Sequence, residues 1–393
     1  MVSYASIVRT RGVTMLISFG ARNYMSFKEG FEISMQLPAS IFKENEVSSA
    51  MCIIGANASG KTNVIRALSF VSQFCYNSFS LKPEDPLSVS SYGFCKEPSS
   101  FFLEFIIGEV RYNYSSELTN SHVVSECLQR KTSKWVSVFR REDNELVQCI
   151  KEFDALRKIK LRNNASIIST AHQYEIDVLE EVYLFFTDIE SNIDTISGDT
   201  LFNGLPRGLA AVSKWYTFAP EELLFTKEKL CEADTGISDI RLEAIKGPHE
   251  EEIYFPLFIH QTEQGEVAIP YTHESSGTRL LYTQLALFKQ VLDSGGVLLL
   301  DEFDNNLHPA LLHWLINLFM DPEHNPHGAQ IIFSSHNTNI MDVMTKYRVV
   351  VVNKEENESF LYRLDELQGS LLRNDRSIEA IYKSGKIGGT PSL

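Results

Sequence analysis

No apolar stretch in this chain approaches the roughly twenty residues that span a bilayer, so the sequence offers no transmembrane helix. The segment from Met1 to Arg11 lacks the long apolar core of a secretion signal. A natural strand begins at Met15, so residues 1–14 read as an upstream extension that packs poorly. Cysteine is sparse and unpaired: Cys52, Cys75, Cys95, Cys127, Cys149 and Cys231 form no CxxC pair. They are expected to be reduced, buried thiols of a cytoplasmic protein, neither zinc ligands nor disulfides. Positive charge is also short, with 36 basic against 51 acidic residues and a formal charge of −15. A surface of that average sign repels polyanions, so nucleic-acid binding would require a local basic patch. One candidate patch exists, Arg157, Lys158, Lys160 and Arg162, although a solvated helix face is the better explanation of it. Internal repeats and low-complexity segments are missing too. What remains, 393 residues with 44% hydrophobic content, is ample for one large globular domain or two.

Against these absences stands one complete motif. Residues 55–62 follow the phosphate-loop pattern GxxxxGK[ST] and come directly after the apolar run Met51 to Ile54. A buried strand delivers the chain to a glycine-rich turn, and a helix opens at Thr62. Backbone N–H groups of the turn and the helix N-terminus then cradle the phosphates of a nucleotide. Gly55, Asn57, Ala58, Ser59, Gly60, Lys61, Thr62 and Asn63 are the expected contacts. Lys61 reaches the β/γ-phosphates, and the Thr62 hydroxyl ligates Mg²⁺.

The surrounding chain reads as mixed α/β. Met15 to Phe27 and Phe31 to Met35 are strands with a turn at Glu29-Gly30, and the spacing after the loop predicts a helix from Asn63 to about Phe79. Residues 101–107 and 110–114, then 123–128 and 135–139, continue as an antiparallel subdomain. From Lys151 to about Glu232 the texture becomes helical, best seen at Glu175 to Ile189 and Pro220 to Cys231. Strand character returns at 240–245, 253–259 and 267–271. The expected division is 1–150 as an N-terminal lobe with the phosphate loop and antiparallel subdomain, 151–235 as a helical insertion serving as a lid or a partner-docking arm, and 236–393 as a C-terminal lobe with the Ser-Gly turn, the acidic pair and His336.

Gly296 to Glu302 is a buried run ending in two carboxylates, suited to a central parallel strand covered on both faces. Its carboxyl end belongs beside the phosphate loop, where open α/β sheets bind ligands. Asp301 then holds Mg²⁺ through a water, and Glu302 positions and polarises the attacking water. Gln330 to His336 is another buried strand, ending in hydroxyls and a histidine placed to bond the γ-phosphate or orient the water. His273 to Arg279 sits immediately before a helix expected over Leu280 to Leu292. Its Ser-Ser-Gly-Thr start is an anion-binding arrangement, and as a simple N-cap it needs no ligand.

In this order the four pieces resemble the ABC-type ATPases, particularly the SMC/RecF/OLD branch. The resemblance implies an ABC-type P-loop ATPase head with a mixed central sheet, an antiparallel β subdomain and an inserted helical subdomain. It implies ATP and Mg²⁺ as ligands and a homodimer in which Ser276 and Gly277 of one chain contact the γ-phosphate held by the other. Thr278 stands where the usual signature has a second glycine. His336 matches the switch histidine. Asn305 and Asn306 fall in the loop that crosses the dimer interface, which here reads Leu307-His308-Pro309 where Leu-Asp is usual. The family's glutamine-loop residue has no match, since Gln73 lies too close to the phosphate loop. The tail from Arg373 to Pro391, the Asp234 to Ile237 stretch and the Asp301 to Pro309 stretch resemble compact bacterial ATPases of anti-phage and abortive-infection systems, of PARIS, Septu and retron type.

That resemblance makes the chain an ATP-gated dimeric switch that holds or activates a separate effector, a nuclease or toxin. A nucleotide-dependent scaffold with slow hydrolysis is a neighbouring reading. A RecF/SMC-like DNA-repair ATPase is the alternative, and the acidic surface speaks against it. A nuclease in the same chain has little room, because 57 residues follow His336 and they read as closing strands and a tail.

Overall fold

The computed structural model describes residues 12–44, 46–193, 208–233, 236–247, 250–305, 307–367, 372 and 376–390. In chain order the principal elements begin with β1 (Thr14–Arg22), β2 (Phe31–Ser34), β3 (Ala50–Gly55) and α1 (Lys61–Asn77). Next come β4 (Ser99–Ile107), β5 (Val110–Leu118), β6 (Val123–Lys131), β7 (Trp135–Glu142) and β8 (Glu145–Cys149). The middle of the chain holds α2 (Ile167–Gln173), α3 (Glu180–Thr187), β9 (Ile189–Ser191), α4 (Leu209–Tyr216) and α5 (Pro220–Glu232). Then follow β10 (Ile237–Lys246), β11 (Glu252–Thr262), β12 (Gly265–Pro270), α6 (Ser276–Ser294) and β13 (Val297–Leu300). The chain closes with α7 (Pro309–Met320), β14 (Gln330–Ser334), α8 (Ile340–Met344), β15 (Val349–Glu355), β16 (Glu358–Arg363) and α9 (Ile378–Lys383).

The strands form three sheets. The central one runs β16-β15-β3-β14-β13-β9, with every neighbouring pair parallel except β15–β16. Its apolar runs have no polar alternation because both faces are covered. On one face Met51, Ile53, Leu299, Ile332 and Val350 join α1 and the antiparallel sheet in one core. On the other, Cys52, Ile54, Leu300, Phe333 and Val351 join α6 and α7 in a second core. The antiparallel sheet, β2-β1-β4-β5-β6-β7-β8, lies over α1, and β10-β11-β12 form a small third sheet.

Two expectations need correction. The helix expected over Glu175 to Ile189 shrinks to Glu180–Thr187, and Ile189–Ser191 is instead a parallel edge strand on β13. Its three residues are buried against the core, and burial of so short a run leaves no period to read. The cysteines are all free, as expected, but only Cys52 and Cys75 are buried, while Cys95 and Cys231 are exposed. Elsewhere the helix on the phosphate loop starts at Lys61, one residue early, and the helix before the acidic strand runs longer than expected, Ser276–Ser294. Residues 1–11 and Asn306 lie outside the described residues, as do Asp234, Thr235 and much of the tail that carried the resemblance.

Candidate nucleotide site

Parallel strands end on one edge, so the sheet order decides what meets there. β3 releases the phosphate loop at Gly55, β14 ends at Ser334, β13 at Leu300 and β9 at Ser191. The residues just beyond these ends line a cleft of about 830 Å³ whose walls include Asn57, Lys61, Thr62, Asp301, Glu302 and His336. Asn63, Ala58, Gly60 and Asn305 border it as well. A smaller cleft of about 430 Å³ adjoins it, sharing Thr62, Arg66, Asp301, Glu302 and Asn305 and bounded by Asn192 and Gln284.

The loop conformation is specific to its residues. Gly60, the N-cap of α1, has φ of +116°, where an L side chain is strained, and a Cβ there would sit 2.8 Å from Ser359 Oγ and 2.9 Å from Ser26 Oγ. Those two hydroxyls are bonded to each other at 2.7 Å, Ser359 Oγ donates to Ser59 O at 2.6 Å, and Asn63 Nδ2 donates to Ser26 Oγ at 2.9 Å. The β1–β2 turn and β16 thus clamp the loop from outside. Gly55 and Ser59 stand behind the cradle: Ser59 is buried with its hydroxyl unpartnered, and a Cβ on Gly55 would lie 2.7 Å from it.

Lys61 is 6% exposed and donates to the carbonyls of Gly55 at 2.8 Å and Ala56 at 3.0 Å. Burial pulls its ammonium below the usual lysine range, and the nearby carboxylates of Asp301, Glu302 and Asp304 oppose that shift. Its hydrogen bonds go to carbonyls and it forms no ion pair with these carboxylates, so an anion in the cleft would give the ammonium a direct partner.

Thr62 Oγ1 donates to Asp301 Oδ2 at 2.8 Å, which puts the hydroxyl and carboxylate proposed for Mg²⁺ in contact across 239 residues of sequence. Ser334, fully buried between them, donates to Asp301 Oδ1 and accepts from the Glu302 N–H at 2.8 Å, while its carbonyl accepts from Phe303 N at 3.0 Å. Glu302 itself holds φ of +50°, a left-handed conformation that costs a non-glycine residue about 1 kcal/mol or more. Ser334 and Asn305, which donates to Glu302 Oε2 at 2.7 Å, keep it there, and the carboxylate is exposed to the cleft. The His336 N–H donates to both Asp304 oxygens, at 3.0 and 3.2 Å, so the acidic turn also orients the histidine.

Sequence reading missed several members. Asn192 donates to Asp301 O at 2.9 Å and accepts from Asp301 N at 2.8 Å, bracing the acidic turn from β9. Nothing local signalled it, since Ile189, Glu190 and Ser191 before it form no apolar run. Arg66, one helical turn beyond Thr62, brings a half-buried guanidinium to both clefts, and Lys354 reaches the larger one from β15. Helical spacing from Thr62 would have found Arg66.

Ser276 and Gly277 line neither cleft. Ser275 is the N-cap of α6, its hydroxyl accepting from Thr278 N at 3.1 Å, and Ser276 is exposed at the helix start. Two of the four basic-patch residues are engaged within the chain: Arg157 donates to Asp154 at 3.1 Å, and Arg162 donates to the carbonyls of Phe79 and Leu81.

The residues fit a nucleotide with a hard divalent cation. The cradle is one that a Cβ would fill, the buried Lys61 lacks an anionic partner, and Thr62 and Asp301 are the hydroxyl and carboxylate oxygens such an ion takes. Among the described residues no helix is long and apolar enough to cross a membrane.

Residues 50–342 match the family model described as "AAA domain, putative AbiEii toxin, Type IV TA system". No curated protein matches the chain. Similar solved structures include an SMC head bound to the C-winged helix domain of ScpA, with 13% identity, 88% of this chain and 96% of that chain covered, and a TM-score of 0.44. Another is the SMC head with an extended coiled coil bound to the C-terminal domain of ScpA from Pyrococcus furiosus, at 12% identity, 89% and 96% coverage and a TM-score of 0.47. At those scores the likeness adds nothing to the family match.

Proposed function

The chain belongs to that AAA-domain family, and from this premise we propose that it binds and hydrolyses ATP with Mg²⁺ as a dimeric switch of a bacterial anti-phage system. The reading makes it a cytoplasmic partner of a separate nuclease or toxin effector, which it holds or activates. The observation that carries the reading is the meeting of Lys61, Thr62, Asp301, Glu302 and His336 at one cleft.

Each residue then has a distinct task. Loop N–H groups and Lys61 orient the phosphates, and positioning with electrostatic stabilisation does most of the catalytic work. Thr62 and Asp301 would hold a Mg²⁺, which would supply positive charge against the phosphates. Glu302 aligns the attacking water and draws its proton, with its strained backbone and Asn305 fixing the aim. His336 hydrogen-bonds the terminal phosphate. Ser276, exposed at the start of α6, and the half-buried Gly277 line neither cleft of their own chain and cap the γ-phosphate of a second copy, with Asn305 and Asn306 at the crossing. In this scheme 1–150 and 236–393 form the head together with β9 and Asn192, and the remainder of 151–235 meets the effector.

A Glu302→Gln protein keeps the cleft and loses the base. It is expected to bind ATP as wild type does while turnover falls about 100-fold or more. Wild-type turnover by that variant in a phosphate-release assay removes Glu302 from the mechanism.

A further inference from the structure

A second cavity, of about 570 Å³, opens at the amino-terminal edge of the parallel strands, away from the phosphate loop. Its position follows from the topology: Arg348 precedes β15, and its carbonyl accepts from Cys52 N at the 2.8 Å that opens the β15–β3 ladder. The size is that of a small-molecule site.

Three cations line it, Lys346, Arg348 and Arg376, with one carboxylate, Asp342. The carboxylate is already engaged. It accepts from Ser377 Oγ at 2.7 Å and from the backbone N–H groups of Ile378 at 2.6 Å and Glu379 at 3.3 Å. The cations are not. Lys346 Nζ uses one N–H, to Leu372 O at 3.0 Å, of the three it carries. Arg348 uses one of five, from Nε to Ser48 Oγ at 3.1 Å, its guanidinium lies 5.3 Å over the Phe42 ring, and the Glu46 carboxylate nearby offsets part of its charge, leaving three cations against two carboxylates. Arg376 is exposed and makes no hydrogen bond or ion pair with a described residue. In a chain of formal charge −15 this is a local excess of positive charge with donors left open.

The fourth wall is strained. Thr345, β-branched, sits at φ +61°, and its Oγ1 is enclosed without a hydrogen-bond partner. Such conformations persist where the surrounding structure holds them, and ligand clamps are where they gather. A neutral hydroxyl donor beside three cations suits a group with several acceptor oxygens and two charges. A single carboxylate would leave cations unbalanced, whereas a phosphate monoester matches guanidinium forks and an ammonium together.

We propose that the groove between α8, β15 and α9 is a second anion site that takes a phosphate monoester of mononucleotide size, held by Lys346, Arg348, Arg376 and Thr345. It lies behind the catalytic edge: α8 follows the His336 loop directly, and Thr338 of that loop donates to Glu379 of α9 at 2.8 Å. The site is independent of the ATP reading.

The test is calorimetric titration of the full chain carrying Lys61→Ala, which disables the phosphate loop, with inorganic phosphate and with AMP. Saturable binding is expected, weakened about tenfold or more when Lys346→Gln and Arg376→Gln are added. Near-UV circular dichroism, and ATP turnover of the two changes alone, report that the variant is folded. No binding to the Lys61→Ala protein, or binding indifferent to Lys346 and Arg376, overturns the proposal. Oligonucleotides separate the sources of the phosphate. A 5′-phosphorylated strand binding more tightly than AMP assigns a nucleic-acid end, and AMP binding at least as tightly assigns a free nucleotide. A 5′-hydroxyl strand binding as tightly as the phosphorylated one contradicts the monoester assignment. The Glu302→Gln assay fails or succeeds separately.

Discussion

Lys61 carries the chemistry of the cleft in its environment as much as in its charge. Buried against two carbonyls, its ammonium is less favourable than in water, so its proton is held less tightly than the usual 10.5 implies. Because the depressed pKa belongs to the native state, the native protein releases this proton at lower pH than the unfolded chain does. Stability from this residue therefore rises with pH between the native and the unfolded values. A bound triphosphate restores the favoured charged form. Binding is thus expected to take up a proton in the alkaline range, and affinity to fall as pH rises there. Calorimetry at about pH 9 in two buffers of different ionisation enthalpy measures this. Proton release on binding, or none, would show that Lys61 does not meet the phosphates.

At the scale of elements, the runs that were legible were those whose burial is complete. Met51 to Ile54, Val297 to Leu300 and Gln330 to Ser334 have both faces covered, so their composition alone marks them as central strands. The loop, the acidic pair and the histidine were legible because each sits at the end of such a strand. The bracing was not. Ser26 meets Ser359 across 333 residues and Asn192 meets Asp301 across 109, and nothing local in either segment encodes the contact. Gln330 shows the same limit. It is 2% exposed, accepts from Leu16 N at 2.7 Å, and donates to Leu16 O at 3.0 Å and Ser48 O at 3.1 Å. One side chain thereby ties β1 of the antiparallel sheet to β14 of the central one. Gln330→Leu keeps the volume and strands three buried backbone groups, so a loss of about 3 kcal/mol or more is expected in urea unfolding. A loss under about 1 kcal/mol would mean that the two sheets are joined by apolar packing alone.

For the whole molecule, the question is whether one chain suffices. Its own cleft gathers the loop, the bonded Thr62–Asp301 pair, Glu302 and the histidine, whereas the serine turn at the head of α6 is exposed and lines neither cleft. Under the proposed function a second copy supplies the cap, and ATP is the adhesive between the two. Light scattering after gel filtration of the Glu302→Gln protein, with and without ATP and Mg²⁺, measures this directly. The account predicts a monomer without nucleotide, a doubling of mass with it, and no doubling once Ser276→Arg is added. A Glu302→Gln protein that binds ATP yet keeps the mass of one chain would contradict it.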